Sequence, residues 1–193
     1  MRIIDISQEV LSCKVYPGDP APAAQKLCAM DEGEFYNLSA FSMCAHNGTH
    51  VDAPLHFIKD GAAVESIPLE KFVGECYVVR FEGEVGKNDA VYIMQKAAAA
   101  GAPERILIAG DAVVTEAAAR IFTSLLLLGN ESQSVGPEDA PMQVHKTLLS
   151  AGTVLLEGVV LEGVKEGKYF LSAAPLNLAG FEGSPVRAYL IEE

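Results

Sequence analysis

Three of the four histidines in this 193-residue chain fall within eleven positions, in the stretch His46-Asn47-Gly48-Thr49-His50-Val51-Asp52-Ala53-Pro54-Leu55-His56-Phe57. A random scatter of four histidines seldom gives such a cluster, and the spacing restricts what backbone can carry it. On an α-helix His46 and His50 would share a face, but at about 100° per residue Asp52 and His56 would point the opposite way. Gly48 and Pro54 also disfavour helix while tolerating extended or turn conformations. In an extended chain the even-numbered positions all project to one side. The spacing therefore predicts an extended segment that gathers His46, His50, Asp52 and His56, with Gly48 leaving room beside the backbone.

Two imidazoles and a carboxylate suit Zn²⁺, Mn²⁺ or Fe²⁺, and three protein ligands plus an open position is the common composition of a catalytic zinc site. The absence of thiolates from the set argues against a closed structural site. The alternative is that these histidines are surface or core residues without a ligand. Cys44 shares the parity of the set and is either a further ligand or a small buried residue.

Composition limits the partners. A formal charge of -12 with no local Lys/Arg cluster excludes a phosphate backbone as the natural ligand. Cys13, Cys28, Cys44 and Cys76 are too widely spread for a C-x-x-C motif and too few for a disulfide scaffold, so they read as reduced, mostly buried thiols. Asp5 and Glu9 interrupt the N-terminal apolar stretch where a signal peptide needs continuity, and no apolar run reaches the roughly 18 residues of a membrane span. The expectation is a single cytoplasmic domain spanning residues 1–193, with half its residues apolar and 21% charged.

The pattern along the chain is mixed α/β. Strands are expected at 2–7, 105–109, 125–128, 154–161, 168–173 and 186–191, and a loop around Tyr16 in Tyr16-Pro17-Gly18-Asp19-Pro20. Helices are expected at 89–100, capped by Asp89 and stopped by Gly101, at 115–122, and at 144–150 before Gly152. Within the apolar run 154–161, Glu157 is conspicuous because a carboxylate is almost never buried without a partner. It either ends a strand at a Glu-Gly turn or turns inward, and Glu162 competes for any inward role.

The segment "HNGTHVDAPLHF" resembles the H-x-G-T-H-x-D-x-P-x-H-F signature of the cyclase-like metal-dependent hydrolases, a family that includes bacterial kynurenine formamidase and isatin hydrolase. "IIDIS", "YPGDP", "HKTLLSAGTVLLEG" and "GSPVRAYL" follow the order seen in that family, so the resemblance spans nearly the whole chain. It implies a mixed β/β/α domain with a small barrel-like sheet and flanking helices, assembled as a homodimer or homotetramer. It further implies that His46, His50 and Asp52 bind a first divalent ion, and that Asp52 bridges to a second held with His145 and Glu157. Zinc is the first choice and manganese the second, with one or two ions per chain. His56 matches the proton donor and acceptor. Tyr16 stands where the formamidases carry a tryptophan against the substrate ring, and this chain has no tryptophan.

The implied reaction is hydrolysis of a formamide, cyclic amide or lactone-like bond in a small molecule. The competing class is a non-catalytic relative that binds a small carboxylate at the same metal. His56 discriminates between them, because the ligands alone suffice for binding whereas a proton shuttle is needed only for turnover.

Overall fold

The computed structural model describes residues 1–192. Thirteen strands form: β1 Arg2–Asp5, β2 Ala23–Cys28, β3 Leu38–Ser42, β4 His50–Asp52, β5 Val73–Arg80, β6 Gly83–Val85, β7 Arg105–Ala109, β8 Ala112–Val114, β9 Leu127–Asn130, β10 Val154–Glu157, β11 Gly167–Ser172, β12 Gly183–Pro185 and β13 Tyr189–Glu192. Three α-helices accompany them: α1 Lys87–Ala99, α2 Glu116–Phe122 and α3 Met142–Ser150.

Nine strands make one curled sheet in the order β1-β13-β11-β5-β7-β9-β10-β4-β12. The four central strands, β5, β7, β9 and β10, run parallel. The outer pairings are antiparallel. Parallel neighbours need crossovers, and here each crossover contains a helix. Two ribbons stand apart from this sheet, antiparallel β2-β3 and parallel β6-β8.

Alternation along the central strands sorts side chains onto two faces. Val78, Leu107 and Leu156 pack on one face with Val51 and Ala53 of the β4 segment. Val79, Ile106, Ile108, Leu128 and Leu155 point to the other, beneath the apolar stripes of α1, α2 and α3. The same alternation aims Glu157 and, on the antiparallel neighbour β4, His50 and Asp52 toward the helical face. Register places Glu157 opposite His50 and Leu155 opposite Asp52.

The helices are where the sequence pattern puts them, with shifted ends. Asp89 is not the cap of α1: the helix starts at Lys87, and Asp89 lies in its first turn and accepts from the Gly86 N–H at 2.9 Å. Thr115 does cap α2, accepting from the Ala118 N–H at 3.3 Å. The expected strand at 154–161 stops at Glu157, because Gly158 adopts a left-handed φ of 67° and turns the chain. The closing strands also run over shifted ranges, and β9 begins at Leu127 instead of Leu125. Of the four thiols, all free, only Cys76 is buried and the others are partly exposed, so the expectation of mostly buried cysteines is corrected.

Candidate metal centre

The segment 46–56 gathers its four chemical residues by a route other than uniform extension. Only His50–Asp52 is strand. Gly48 has a left-handed φ of 62°, so His46 enters from a turn before the strand. Pro54 opens a single 3-10 turn that carries His56 back toward the site. A turn, a strand and a 3-10 turn therefore bring together what strict alternation would have kept on one side.

His145 reaches the same place from α3, one turn before Leu149 on the buried face of that helix. Glu157 arrives from the carboxyl end of β10, and Gln133 and Ser134 from the loop after β9, so the cleft opens at the carboxyl ends of parallel strands, the usual place for a site in such a sheet. Glu162, the competitor of Glu157, is exposed.

The donors form two triads that meet at Asp52: His46, His50 and Asp52, then Asp52, His145 and Glu157. Within each triad the ligand atoms lie no more than 4.8 Å apart. His46 Nδ1 is 2.9 Å from Asp52 Oδ1, and His50 Nε2 is 3.6 Å from the same oxygen. His50 Nε2 is also 3.4 Å from Glu157 Oε2. His145 Nε2 is 3.1 Å from Glu157 Oε1 and 3.6 Å from Asp52 Oδ2. Val135 N–H donates to Glu157 Oε1 at 2.7 Å, which holds that carboxylate in place.

His50 and His145 share one ring orientation. Each lies 2.9 Å, through Nδ1, from a backbone carbonyl, that of Gly48 and of Pro141 respectively. Donation of Nδ1–H there turns Nε2 toward the carboxylates, the nitrogen that would bind a metal once it carries no proton.

Burial makes the charges interdependent. Asp52 and Glu157 are almost wholly buried. Desolvation alone would raise both carboxyl pKa values, yet the surrounding imidazoles hold both below the usual range. Burial opposes protonation of His46 and His145, but Asp52 lifts His46 to about 8 and Glu157 lifts His145 to about 9. Asp52 Oδ2 and His46 Nε2 are buried without a hydrogen-bond partner. The orphaned Asp52 acceptor, in a nitrogen and carboxylate set, fits a divalent cation of the Zn²⁺ or Mn²⁺ type.

His56 lies outside both triads. Its ring stacks on His46 at 4.1 Å between centroids and meets Phe57 edge-on at 4.4 Å. Burial, the largest influence, pushes its pKa below the ordinary value. Tyr16 lines the same cleft, of about 400 Å³, and its hydroxyl donates to the Glu138 carbonyl at 2.7 Å. The Tyr16 loop is a turn closed by Asp19 N–H donating to the Tyr16 carbonyl. Cys44 also lines the cleft, but its thiol faces Asp19 Oδ2 at 3.7 Å and it belongs to neither triad.

Sequence reasoning missed Gln133, Ser134, Asp19 and Glu182, which line the cleft with the others. Glu182 reaches it only because β12 pairs with β4, a contact spanning some 130 residues that no local pattern announces.

This arrangement of curled sheet, one-sided helices and paired His/Asp/Glu triads defines a metal-centred hydrolase architecture, and the chain belongs to the cyclase family, whose model matches residues 4–120. It is 33% identical over 211 aligned positions to kynurenine formamidase of Erythrobacter litoralis (strain HTCC2594), covering 99% of this chain and 94% of that protein. A structure described as a predicted metal-dependent hydrolase from Bacillus stearothermophilus superposes with a TM-score of 0.79 at 28% identity, covering 98% of this chain and 97% of that one. Isatin hydrolase A from Labrenzia aggregata, at 21% identity, shares the fold with a TM-score of 0.83, covering 100% of this chain and 94% of that one.

Proposed function

We propose that this metal-dependent amide hydrolase cleaves a formamide or cyclic amide bond of a small molecule, in the manner of an arylformamidase, with zinc as its ion and up to two ions per chain. The observation that carries the reading is Asp52, a fully buried carboxylate shared by both triads with one oxygen unpartnered. His46, His50 and Asp52 would hold the first ion, and Asp52, His145 and Glu157 the second. A divalent ion bound there supplies Lewis acidity toward a carbonyl oxygen and acidifies water from a pKa of about 15.7 toward 7.

The chain's own residues do the rest. His56 is neutral near pH 7 because burial lowers its pKa. A neutral imidazole at the cleft wall accepts a proton from water and returns it to the leaving nitrogen. Its stacking on His46 keeps the ring beside the ligands. Tyr16 has spent its hydroxyl on the Glu138 carbonyl, so its ring serves as a wall for an aromatic substrate.

Homo-oligomeric assembly accompanies this reading, supported by the exposed apolar side chains of the β2-β3 ribbon, among them Leu27, Leu38 and Phe41. No helix among the described residues is long and apolar enough to cross a membrane. A cytoplasmic site of action is supported by four free thiols.

Metal analysis of the purified chain, with assays on N-formylkynurenine and on isatin with Zn²⁺ or Mn²⁺ supplied, tests the proposal. N-formylkynurenine is expected to be hydrolysed measurably but poorly, and Tyr16→Trp to improve kcat/KM, since changes of this kind are worth about 1 to 3 kcal/mol. His50→Ala is expected to weaken the first site sharply. A chain that neither contains nor binds zinc, manganese or iron overturns the reading.

A further inference from the structure

His46 differs from the other two histidines in which ring nitrogen faces the carboxylates. His50 and His145 direct Nδ1 to a backbone carbonyl and Nε2 inward. His46 does the reverse: Nδ1 lies 2.9 Å from Asp52 Oδ1, while Nε2 is buried, has no hydrogen-bond partner and stands 3.4 Å from Oε1 of Glu182. An imidazole that ligates a metal through one nitrogen gives its other N–H to a carboxylate, a carbonyl or water, which fixes the tautomer and raises the basicity of the ligating atom. Glu182 is a carboxylate within a small side-chain adjustment of that second nitrogen.

We propose that Glu182 is the positioning residue that makes His46 an Nδ1 ligand, its carboxylate taking the Nε2–H while Nδ1 faces the first ion. The proposal rests on the metal centre described above and adds a residue outside both triads. Two observations independent of the carboxylate distance support it. The Glu182 carbonyl accepts the Ala53 N–H at 2.8 Å, which clips residue 182 to the chain immediately after Asp52. The next residue, Gly183, leaves the space in which the His46 ring sits: a Cβ there would come within 2.7 Å of His46 Cε1, 3.2 Å of its Nε2 and 2.8 Å of the Val51 carbonyl oxygen.

The His46 ring is thus bounded by Gly183, by the stacked ring of His56, and by carboxylates at both nitrogens. The Glu182 side chain is 41% exposed, against 1% for Asp52. It keeps part of its hydration and avoids the desolvation cost of a fully buried charge. A half-exposed carboxylate beside a buried nitrogen suits a residue that orients a ligand without becoming one.

The direct test uses the full chain labelled with ¹⁵N-histidine and loaded with Zn²⁺, with His46→Gln to assign the resonances. The expected spectrum has His46 protonated at Nε2 and zinc-bound at Nδ1, and His50 and His145 the other way round. His46 bound through Nε2 overturns the proposal while leaving the metal centre intact, and a parent protein that binds no Zn²⁺ overturns both.

Competition against a chromophoric chelator gives a second readout. Glu182→Ala is expected to lower first-site Zn²⁺ affinity by about 10- to 100-fold, the usual effect of removing such a partner. Glu182→Gln, which keeps an acceptor oxygen at the same reach, is expected to recover most of that loss. Metal-free thermal unfolding of both variants should match the parent. Unchanged affinity in Glu182→Ala, or equal losses in the two variants, overturns the proposal, since equal losses report charge and not a hydrogen bond.

Discussion

At the scale of single residues, His46 and His145 tie the site to pH. In the metal-free chain burial disfavours their charged forms, but Asp52 and Glu157 outweigh it and lift the two pKa values to about 8 and about 9, above the ordinary 6.5. Groups raised in the folded state stabilise it fully below their unfolded pKa and lose that contribution as pH rises through the folded value. The metal-free protein is therefore expected to lose thermal stability as pH climbs through about 8 to 9, whereas the metal-loaded protein, whose imidazoles are held by the ion, should not. Calorimetric Zn²⁺ titration at pH 7 in two buffers of different ionisation enthalpy should show release of about one to two protons per chain. A metal-free melting temperature flat across that range contradicts the ion pairing on which this rests. His56 separates chemistry from binding: His56→Ala should keep its metal and lose about 10²- to 10⁴-fold in kcat, while His145→Ala should lose the second ion. Because burial pushes His56 down, the acid limb of the parent's kcat/KM profile should fall below pH 6.5 and disappear in His56→Ala. Equal metal loss in the two variants would make His56 a ligand.

At the scale of elements, the site depends on how β4 and β10 end. Gly158 follows Glu157 with φ 67°, and a Cβ there would approach Gln133 Nε2 to 2.1 Å and the Gly48 carbonyl oxygen to 2.3 Å. The turn after β10 therefore packs directly on the turn before β4, and Thr49 Oγ1 donates to the Gly158 carbonyl at 2.7 Å. Gly163 has a similar φ of 74° with nothing within 4 Å, so Gly163→Ala serves as the conformational control, costing about 1 to 2 kcal/mol. Gly158→Ala is expected to cost clearly more in chemical denaturation and to weaken metal binding as well, because Glu157 and His46 flank the two turns. Equal costs for the two variants would show that the turns do not press on each other. These elements also show what the sequence could and could not disclose. His50 and Asp52 were legible because alternation is a local signal, whereas Glu157 competed with Glu162 until the family resemblance, through its offset from His145, favoured it. The parity argument gathered His46 and His56 correctly but by the wrong backbone, since Gly48 and Pro54 act as turns and do not merely tolerate extension. Glu182 and Ser134 carried no local signal, because only strand pairing and a loop bring them in.

At the scale of the whole molecule, alternating apolar segments sufficed to announce a mixed α/β sheet, but not the β2-β3 ribbon that stands off it. Every residue of β3 is exposed, as is β2 up to Cys28. Leu27, Met30, Phe35, Tyr36, Leu38 and Phe41, on the strands and the loop between them, are between 45% and 98% exposed. A two-stranded hairpin is marginal by itself in water, and clustered apolar side chains of this size mark a surface that is covered by something. A second copy of the chain is the cover expected of a homo-oligomer, and a stable interface needs about 800 Å² from each partner. Sedimentation velocity of the purified protein should therefore show a dimer or tetramer, and its melting temperature should rise with protein concentration. Leu27→Glu combined with Phe41→Glu places charges on both ribbon strands and should yield a smaller species whose melting temperature no longer depends on concentration. The residues proposed to hold the metal lie on β4, α3, β10 and the turn before β4, none of them on the ribbon. The double variant should accordingly keep its Zn²⁺ stoichiometry, which distinguishes lost assembly from lost folding. A parent protein that sediments as a monomer, or a double variant that assembles as the parent does, would show that this ribbon is not the surface that joins the subunits.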